Sequence, residues 1–194
     1  NQLNFPQTIS DSSIKGIILV EICDKVVCDA LSQFNLPIVS VDMPNVPFEE
    51  LNGIDVVTME SKKNLKKIIN QLIEKGAESF GFVGDLYSPN VSRGFQERYN
   101  ALSECLAEHQ LPLNQKNCLL HQTPEDFRNF QTTVNNLQAM ISLPDVFICG
   151  NDWTAIQLIY ALQFLGFQIP KDICVVGFDN IPAASRISPS LTCL

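Results

Sequence analysis

The stretch DVFICGNDWTAIQLIYALQFLGFQIPKDICVVGFDN, residues 145–180, carries the pattern that decides the fold. It opens with a short apolar run, VFICG, and closes with a second one, ICVVG. The segment between them is helical in character, with Asp152 as the expected N-cap and Gly166 as the residue that ends the helix. Two buried strands joined by such a helix predict a parallel β-α-β unit with a right-handed crossover.

The same alternation of strand and helix extends over nearly the whole chain. Further strand segments are predicted at residues 14–20, 38–42, 54–58, 79–84 and 116–121. Ser61 and Thr123 are expected to begin two of the intervening helices, Ser61 as a cap and Thr123 as a cap followed by proline and two acids. The pattern predicts an α/β fold built on parallel sheets, and it leaves function open.

Composition limits the classes of partner. The 194 residues carry a net charge of −8, which opposes binding of nucleic-acid phosphates by this chain itself. The basic cluster of Lys62, Lys63, Lys66 and Lys67 is interpreted as a solvated helix face. No apolar run approaches the roughly eighteen residues of a membrane span, so no membrane partner is expected. The seven cysteines are odd in number and lie in apolar runs, which predicts reduced thiols in a cytoplasmic protein.

Polar residues gather just after the predicted strands, where ligands bind in open parallel sheets. Asn151 and Asp179 each follow a strand, and the loop after residues 79–84 leads to an arginine, either Arg93 or Arg98. Glu21 and Asp42 follow two strands of the first half. Carboxylate, amide and guanidinium groups together suit a polyhydroxyl compound, and Trp153 or Phe178 offers a flat apolar face for its ring. Each residue also has a plainer interpretation: Asp179-Asn180 as a tight turn, and Trp153 as core.

Catalytic chemistry finds little support. The sequence has no P-loop, no Gly-x-Gly-x-x-Gly and no Gly-x-Ser-x-Gly motif. Of the two histidines, His109 is expected to act as a charge partner at a helix end and His121 to lie on the surface. Neither a metal site nor a cofactor is predicted, and the chain is expected not to be an enzyme.

Residues 143–192, LPDVFICGNDWTAIQLIYALQFLGFQIPKDICVVGFDNIPAASRISPSLT, resemble the C-terminal signature of the lactose-repressor/galactose-repressor (LacI/GalR) transcription regulators. The family pattern reads as a strand ending in Asn-Asp, a helix, and then a Gly-Phe/Tyr-Asp strand end before Ile-Pro. Upstream, KGIILV, LPIVSVD and FGFVGD resemble the matching strands of the same domain. The resemblance therefore covers nearly the whole chain from residue 14.

The resemblance implies a type I periplasmic-binding-protein-like fold, with two doubly wound α/β subdomains and a ligand cleft. In this family the domain dimerises and binds a small effector, commonly a sugar, a sugar phosphate or a similar metabolite. A separate helix-turn-helix, which we expect to lie outside this sequence, binds operator DNA under allosteric control in this family. A transport or chemosensory sugar-binding protein of the same fold is the alternative.

The resemblance matches individual effector-contacting positions of the family to residues of this sequence. Asn151 and Asp179 match family positions that commonly contact the effector. The family arginine matches Arg98 better than Arg93, because Arg98 alone places the following helix residues in register. The departures at Glu60-Ser61, Asn64 and Gly76-Ala77 leave the identity of the effector open.

The implied domain boundaries are residues 1–75 for a partial N-terminal subdomain, 76–191 for the C-terminal subdomain, and 192–194 for the start of a crossover strand. The family's first strand, first helix and second strand have no counterpart in the sequence. We therefore expect the strand at residues 14–20 to have an unpaired edge unless another chain covers it.

Overall fold

The computed structural model describes residues 3–86, 92–121 and 129–194. The chain divides into two compact units. Unit 1 comprises Asn1–Met59 and Ser88–Gly94, and unit 2 comprises Glu60–Tyr87 and Phe95–Leu194.

Unit 1 contains a three-stranded parallel sheet in the order β1-β2-β3. Its elements are β1 (Ile17–Val20), α1 (Lys25–Leu31), β2 (Ile38–Val41) and β3 (Ile54–Val57). Helix α1 is capped by Asp24, whose carboxylate accepts a hydrogen bond from the Val26 amide at 2.8 Å.

The sheet of unit 1 buries one face only. Leu19 and Ile38 point into the core of the unit and are 6% and 2% exposed. Ile18 and Val20 point the other way and are 74% and 62% exposed, because successive residues of a strand face opposite sides of the sheet. Strand β1 lies at the edge of the sheet, with β2 as its only partner in the described part of the chain.

Unit 2 contains a five-stranded parallel sheet in the order β5-β4-β6-β7-β8. The strands are β4 (Phe80–Asp85), β5 (Leu119–His121), β6 (Val146–Cys149), β7 (Cys174–Gly177) and β8 (Thr192–Cys193). The helices are α2 (Lys62–Glu74), α3 (Arg93–Glu108), α4 (Phe130–Ala139) and α5 (Asp152–Phe164), and the first two residues of α3 belong to unit 1. The predicted α/β fold with parallel sheets is confirmed.

Helices cover both faces of this sheet. Helices α2 and α3 pack on one face through Leu65, Ile69 and Leu102, which meet Phe82 of β4. Helices α4 and α5 pack on the other face, where Leu158 is fully buried. Because the apolar side of α2 belongs to this core, the chain first passes between the units at residues 59/60, whereas the sequence places the boundary at 75/76.

Two helix starts differ from the sequence prediction. Ser61 is the N-cap residue of α2, but its side chain makes no capping bond; the carboxylate of Glu60 instead accepts a hydrogen bond from the Lys63 amide at 2.8 Å. The predicted start at Thr123 lies outside the described residues. Helix α4 begins at Phe130, where Asn129 accepts a hydrogen bond from the Thr132 amide at 3.2 Å.

The lysine face of α2 pairs with acids on α3. Lys62 lies 2.6 Å from Glu104, and Lys66 lies 2.6 Å from Glu108. The predicted solvated face is thus also a set of exposed ion pairs, each worth little because water screens it. His109, expected to be a charge partner, contacts the side-chain oxygen of Asn70 at 2.8 Å.

Candidate functional site

One edge of the unit 2 sheet collects polar side chains. The strands run parallel, so their carboxyl ends meet at the same edge, which is where open α/β sheets bind ligands. Asp85 ends β4, His121 ends β5, Asn151 follows β6, and Asp179 follows β7. The order β5-β4-β6-β7 therefore sets these four residues along one row.

Arg98 reaches this row from α3 and connects two of the strand ends. It is 6% exposed, and its guanidinium donates a hydrogen bond to the carbonyl of Gly150 at the end of β6. The guanidinium carbon lies 3.6 Å from the ring centroid of Phe178, and Nη2 lies 3.9 Å from the Asp179 carboxylate. The structure thus brings together three of the predicted site residues, Arg98, Phe178 and Asp179.

The turn after β7 presents the Asp179 side chain. Asp179 and Asn180 have φ angles of 109° and 52°, and aspartate and asparagine tolerate positive φ better than most residues. The Asp179 amide donates to the carbonyl of Leu194 at 3.2 Å, which ties the turn to the end of β8. The side chain remains 33% exposed, so a ligand can reach its carboxylate. The residue pair is the tight turn that its sequence allows; ligand contact stays a prediction.

Asn151 has a structural role that the sequence assigned to its neighbour. The prediction that Asp152 caps α5 is wrong: the N-cap is Asn151, whose Oδ1 accepts a hydrogen bond from the Thr154 amide at 2.9 Å. Asp152 is the first helical residue and is fully buried. The cap uses only the oxygen of Asn151, so the two donors on Nδ2 are the part of the side chain suited to a ligand hydroxyl.

Trp153 lies on the outer face of α5. It is 58% exposed, whereas Asp152 and Thr154 on either side are buried. The same face carries Tyr160 and Phe164, at 48% and 69% exposure. Trp153 is therefore not core, and its proposed contact with an effector remains a prediction.

His121 and Asp85 are site residues that the sequence reasoning missed. The expectation that His121 lies on the surface is wrong, because the residue is only 7% exposed. Its Nδ1 lies 2.7 Å from the Asp85 carboxylate, and the two residues are direct partners in the β4–β5 register. Both stand at the last position of a strand, so the rule that singled out Asn151 and Asp179 could have found them.

Arg93, the competing arginine, belongs to unit 1. Its amide donates to the carbonyl of Met43 at 3.0 Å, and its guanidinium donates to the carbonyl of Val46 at 3.1 Å. The guanidinium carbon also lies 4.4 Å from the ring centroid of Phe48. These contacts hold residues 92–94 against the loop that follows β2.

Polar residues also follow the strands of the unit 1 sheet, at its carboxyl edge. Glu21 and Asp42 follow β1 and β2 with φ angles of 54° and 66°. The Ser92 hydroxyl donates to the Asp42 carboxylate at 2.5 Å, and the Met43 amide donates to its other oxygen at 2.7 Å. Asp42 is thereby fixed by two hydrogen bonds at a strand end.

The cysteines do not provide a nucleophile. All seven are free thiols, and burial raises the pKa of Cys149 above its usual range. Burial, followed by the charge of Asp42, raises the pKa of Cys23 to about 12. Protonated thiols of this kind react slowly. The described residues contain no group of three His, Cys, Asp or Glu side chains that could hold a metal ion, and none of their helices is long and apolar enough to cross a membrane.

The chain is similar to known proteins over most of its length. A family model for the periplasmic binding protein-like domain matches residues 69–194. Catabolite control protein A of Staphylococcus xylosus is 32% identical over 144 residues, which cover 72% of this chain and 40% of that protein. The HTH-type transcriptional repressor PurR of Actinobacillus pleuropneumoniae is 26% identical over 182 residues, which cover 92% and 51%.

A solved structure shows the same fold. The LacI family transcriptional regulator from Lactobacillus casei with bound sucrose superposes with a TM-score of 0.73 at 20% identity, covering 96% of this chain and 66% of that one. The chain spans 40% and 51% of the length of the two curated relatives above, a catabolite control protein and a transcriptional repressor. The predicted resemblance and the prediction of a non-enzymatic protein are both confirmed: the chain belongs to the periplasmic binding protein-like domain family, and its relatives are LacI-type transcriptional regulators.

Proposed function

We propose that this chain is the effector-sensing part of a LacI-type transcriptional regulator, and that unit 2 binds a small polyhydroxyl effector at the carboxyl edge of its sheet. One observation carries the proposal: Arg98, Phe178 and Asp179 meet at the strand ends, with Asn151 just after the neighbouring strand β6. An apolar ring beside a guanidinium and a carboxylate is the combination that sugar binding needs.

Each side chain has a distinct task in this site. Asp179 accepts hydrogen bonds from two ligand hydroxyls, and the Nδ2 of Asn151 donates to a third. Arg98 donates to a ring or hydroxyl oxygen while its stack on Phe178 keeps the guanidinium plane fixed. His121, held by Asp85, adds a polar ring at the same edge. Trp153 is the weakest candidate, because it lies on the exposed outer face of α5.

The charges of the edge favour a neutral ligand over a sugar phosphate. Asp85 and Asp179 place two carboxylates there. Among the described residues the guanidinium that reaches the edge is that of Arg98, and it is already engaged by Asp179 and the Gly150 carbonyl. A phosphate would have to compete with Asp179 for the same cation. The L. casei regulator with bound sucrose shares the fold, which supports a neutral sugar as the first ligand to try.

The DNA-binding step is assigned to another part of the regulator. A net charge of −8 opposes phosphate binding by this chain, so a helix-turn-helix elsewhere in the protein contacts the operator in the cytoplasm. The effector controls that contact allosterically, which requires that it bind one conformation of the regulator more tightly than another. Two chains associate through exposed apolar surface, for which the aromatic face of α5 is the best candidate.

The alternative is a sugar-binding protein of a transport or chemosensory system, since the family model takes its description from periplasmic binding proteins. Such a protein works in an oxidising compartment, where seven free cysteines are a liability. The regulators among the relatives and the free thiols both favour the first proposal.

A thermal-shift screen tests the ligand class. Neutral sugars, sugar phosphates and nucleobases are added to the purified chain, and a ligand at a hundred times its Kd should add about 2.7 kcal/mol to the free energy of unfolding. We expect a neutral sugar to raise the Tm of the wild type and of the control Lys67→Ala by equal amounts, and to raise the Tm of Asp179→Asn by less. A nucleobase or a sugar phosphate as the sole hit, or an undiminished sugar effect in Asp179→Asn, would refute the proposed site.

A further inference from the structure

Asp152 is fully buried, although the sequence offers it as a simple helix cap. Its backbone amide donates to the carbonyl of Phe178 at 2.8 Å, and its Oδ2 accepts from the amide of Ile181 at 2.8 Å. These two hydrogen bonds, which we name the Asp152 latch, span the turn after β7 from its first residue to its last. Between them stand Asp179 and Asn180, the two residues with positive φ.

The second carboxylate oxygen is packed from other directions. Oδ1 is buried and accepts no N–H or O–H hydrogen bond in the described part of the chain. A Cβ on Gly177 would stand 2.2 Å from it, so the backbone of β7 approaches as closely as glycine permits. On β8, burial and then the hydrogen bond and charge of Asp152 raise the pKa of the Cys193 thiol to about 12. The carboxylate of Asp152, at the start of α5, therefore lies close to Gly177 of β7 and near Cys193 of β8.

Burying a carboxylate with only one oxygen well hydrogen-bonded costs free energy of folding. A merely structural contact at this position would not require a charged residue. The latch acts on the two residues that face Arg98: it fixes the carbonyl of Phe178, whose ring lies 3.6 Å from the guanidinium carbon, and it closes the turn that presents Asp179. We infer that Asp152 is the positioning residue of the ligand site, holding Phe178 and Asp179 in place against Arg98 without touching the ligand itself.

The structural half of this inference stands independently of any ligand, whereas its effect on binding rests on the proposed function. Asp152→Ala removes the Oδ2 acceptor, and Gly177→Ala pushes the carboxylate away from the opposite side. The two variants should therefore share one phenotype, although the substitutions lie on different elements. Asp152→Asn keeps an acceptor oxygen for the Ile181 amide and should restore much of the wild-type behaviour.

Solution NMR on the full chain provides the test, without ligand. The first signal is the exchange rate of the Ile181 amide, which should rise at least tenfold in Asp152→Ala and in Gly177→Ala. The second is the side-chain resonance of Arg98, which the ring current of Phe178 shifts upfield in the wild type and which should move toward its ordinary position in both variants. Ile159→Val loses stability from the core of α5 but leaves the latch intact, so it should move neither signal.

The outcomes separate the two proposals. An unchanged Arg98 resonance in a folded Asp152→Ala protein, or an equal shift in Ile159→Val, overturns the positioning role whatever the ligand. A shifted resonance with recovery in Asp152→Asn supports it. Sucrose is then titrated as the ligand probe: a wild type that does not respond counts against the proposed ligand alone, whereas a tenfold or greater loss of affinity in Asp152→Ala with recovery in Asp152→Asn extends the role to binding.

Discussion

The guanidinium of Arg98 stacks on the ring of Phe178, with 3.6 Å between the guanidinium carbon and the ring centroid. Arg98 comes from α3 and Phe178 from the end of β7, so the stack joins two elements that are far apart in sequence. The cation is nearly excluded from water at 6% exposure, which strengthens its attraction to the ring and to the Gly150 carbonyl. The pair is the rigid centre around which the exposed carboxylate of Asp179 stands.

Replacing Arg98 should damage both stability and binding. Arg98→Ala leaves the buried carbonyl of Gly150 without its charged donor, so the free energy of unfolding should fall by about 2–3 kcal/mol. Arg98→Lys keeps the charge but lacks the planar fork that both stacks and donates, and should recover only part of the loss. Urea denaturation at neutral pH measures the free energy of unfolding of both variants. A loss smaller than about 0.5 kcal/mol in Arg98→Ala would contradict the importance of the stack.

Asp179→Asn should separate binding from stability. Asparagine tolerates the positive φ of 109° and the side chain is already 33% exposed, so the free energy of unfolding should change by less than about 0.5 kcal/mol. Affinity for the sugar that stabilises the wild type should weaken by about 1–3 kcal/mol, the cost of leaving a ligand hydroxyl poorly paired. Calorimetric titration measures the affinity. Equal affinity for the two proteins would remove Asp179 from the site.

The local sequence predicted that polar residues gather at the carboxyl edge of the sheet. It did not predict which structural role each of them has. Asn151 and Asp152 are neighbours, and both residue types favour the N-cap, so nothing in the sequence shows which of them caps α5. Which of the two residues caps α5 depends on the turn after β7. The Ile181 amide in that turn donates a hydrogen bond to the Asp152 carboxylate, so Asn151 is left to cap the helix. That turn is remote in sequence, and only the pairing of β6 with β7 brings it near.

The pair of His121 and Asp85 shows the same limit. Each residue looks like an ordinary polar end of a strand, and 36 positions separate them in the chain. Their contact follows from the β4–β5 register, which a sequence pattern does not specify because many alignments of two apolar strands bury equal area. The number of strands and the order of the helices could be predicted from hydrophobic periodicity and family resemblance. The preference for Arg98 as the ligand-contacting arginine also came from the resemblance, and it stays a prediction.

Glycine at position 81 is required by packing. A Cβ there would stand 2.0 Å from the carbonyl oxygen of Asn117 and 2.9 Å from the ring of Phe147. At Gly84 of the same strand, a Cβ would meet only side-chain ring atoms, at 3.0 Å or more. Gly81→Ala should therefore lower the free energy of unfolding by at least about 2–3 kcal/mol and Gly84→Ala by less, because a ring can shift where a backbone carbonyl cannot. Thermal denaturation of the two variants in parallel tests this order, and the reverse order would show that the backbone at Asn117 can shift to make room.

Association should depend on the aromatic face of α5. Tyr160 and Phe164 are exposed at 48% and 69%, so a charge there costs an isolated chain little. Tyr160→Glu should shift sedimentation velocity profiles from dimer toward monomer, because an apolar interface does not accept an unpaired carboxylate. Lys67→Glu introduces the same charge on an exposed position of α2 and serves as the control. If both variants sediment like the wild type, the interface lies elsewhere.

Asp145 should make stability depend on pH. Its carboxylate accepts hydrogen bonds from the amides of Glu78 and Ser79 and from the Ser79 hydroxyl, at 3.0, 2.8 and 2.8 Å. Burial alone would raise the pKa of Asp145, but these hydrogen bonds outweigh it and hold the pKa below its usual value. A carboxyl whose pKa is depressed in the folded state stabilises the protein above its unfolded pKa, near 3.9, and loses that contribution as the pH falls through the folded value.

Asp145→Asn should therefore lower the free energy of unfolding by about 1 kcal/mol at pH 7, a modest figure because the site is solvent-exposed. The difference from the wild type should shrink below about pH 4, as the wild-type carboxyl takes up its proton. Asp55→Asn, which removes the same charge from an exposed position on β3, should show no such convergence. Urea unfolding at pH 7, 5, 4 and 3 measures all three proteins, and a difference for Asp145→Asn that stays constant down to pH 3 would contradict the hydrogen-bonded carboxylate.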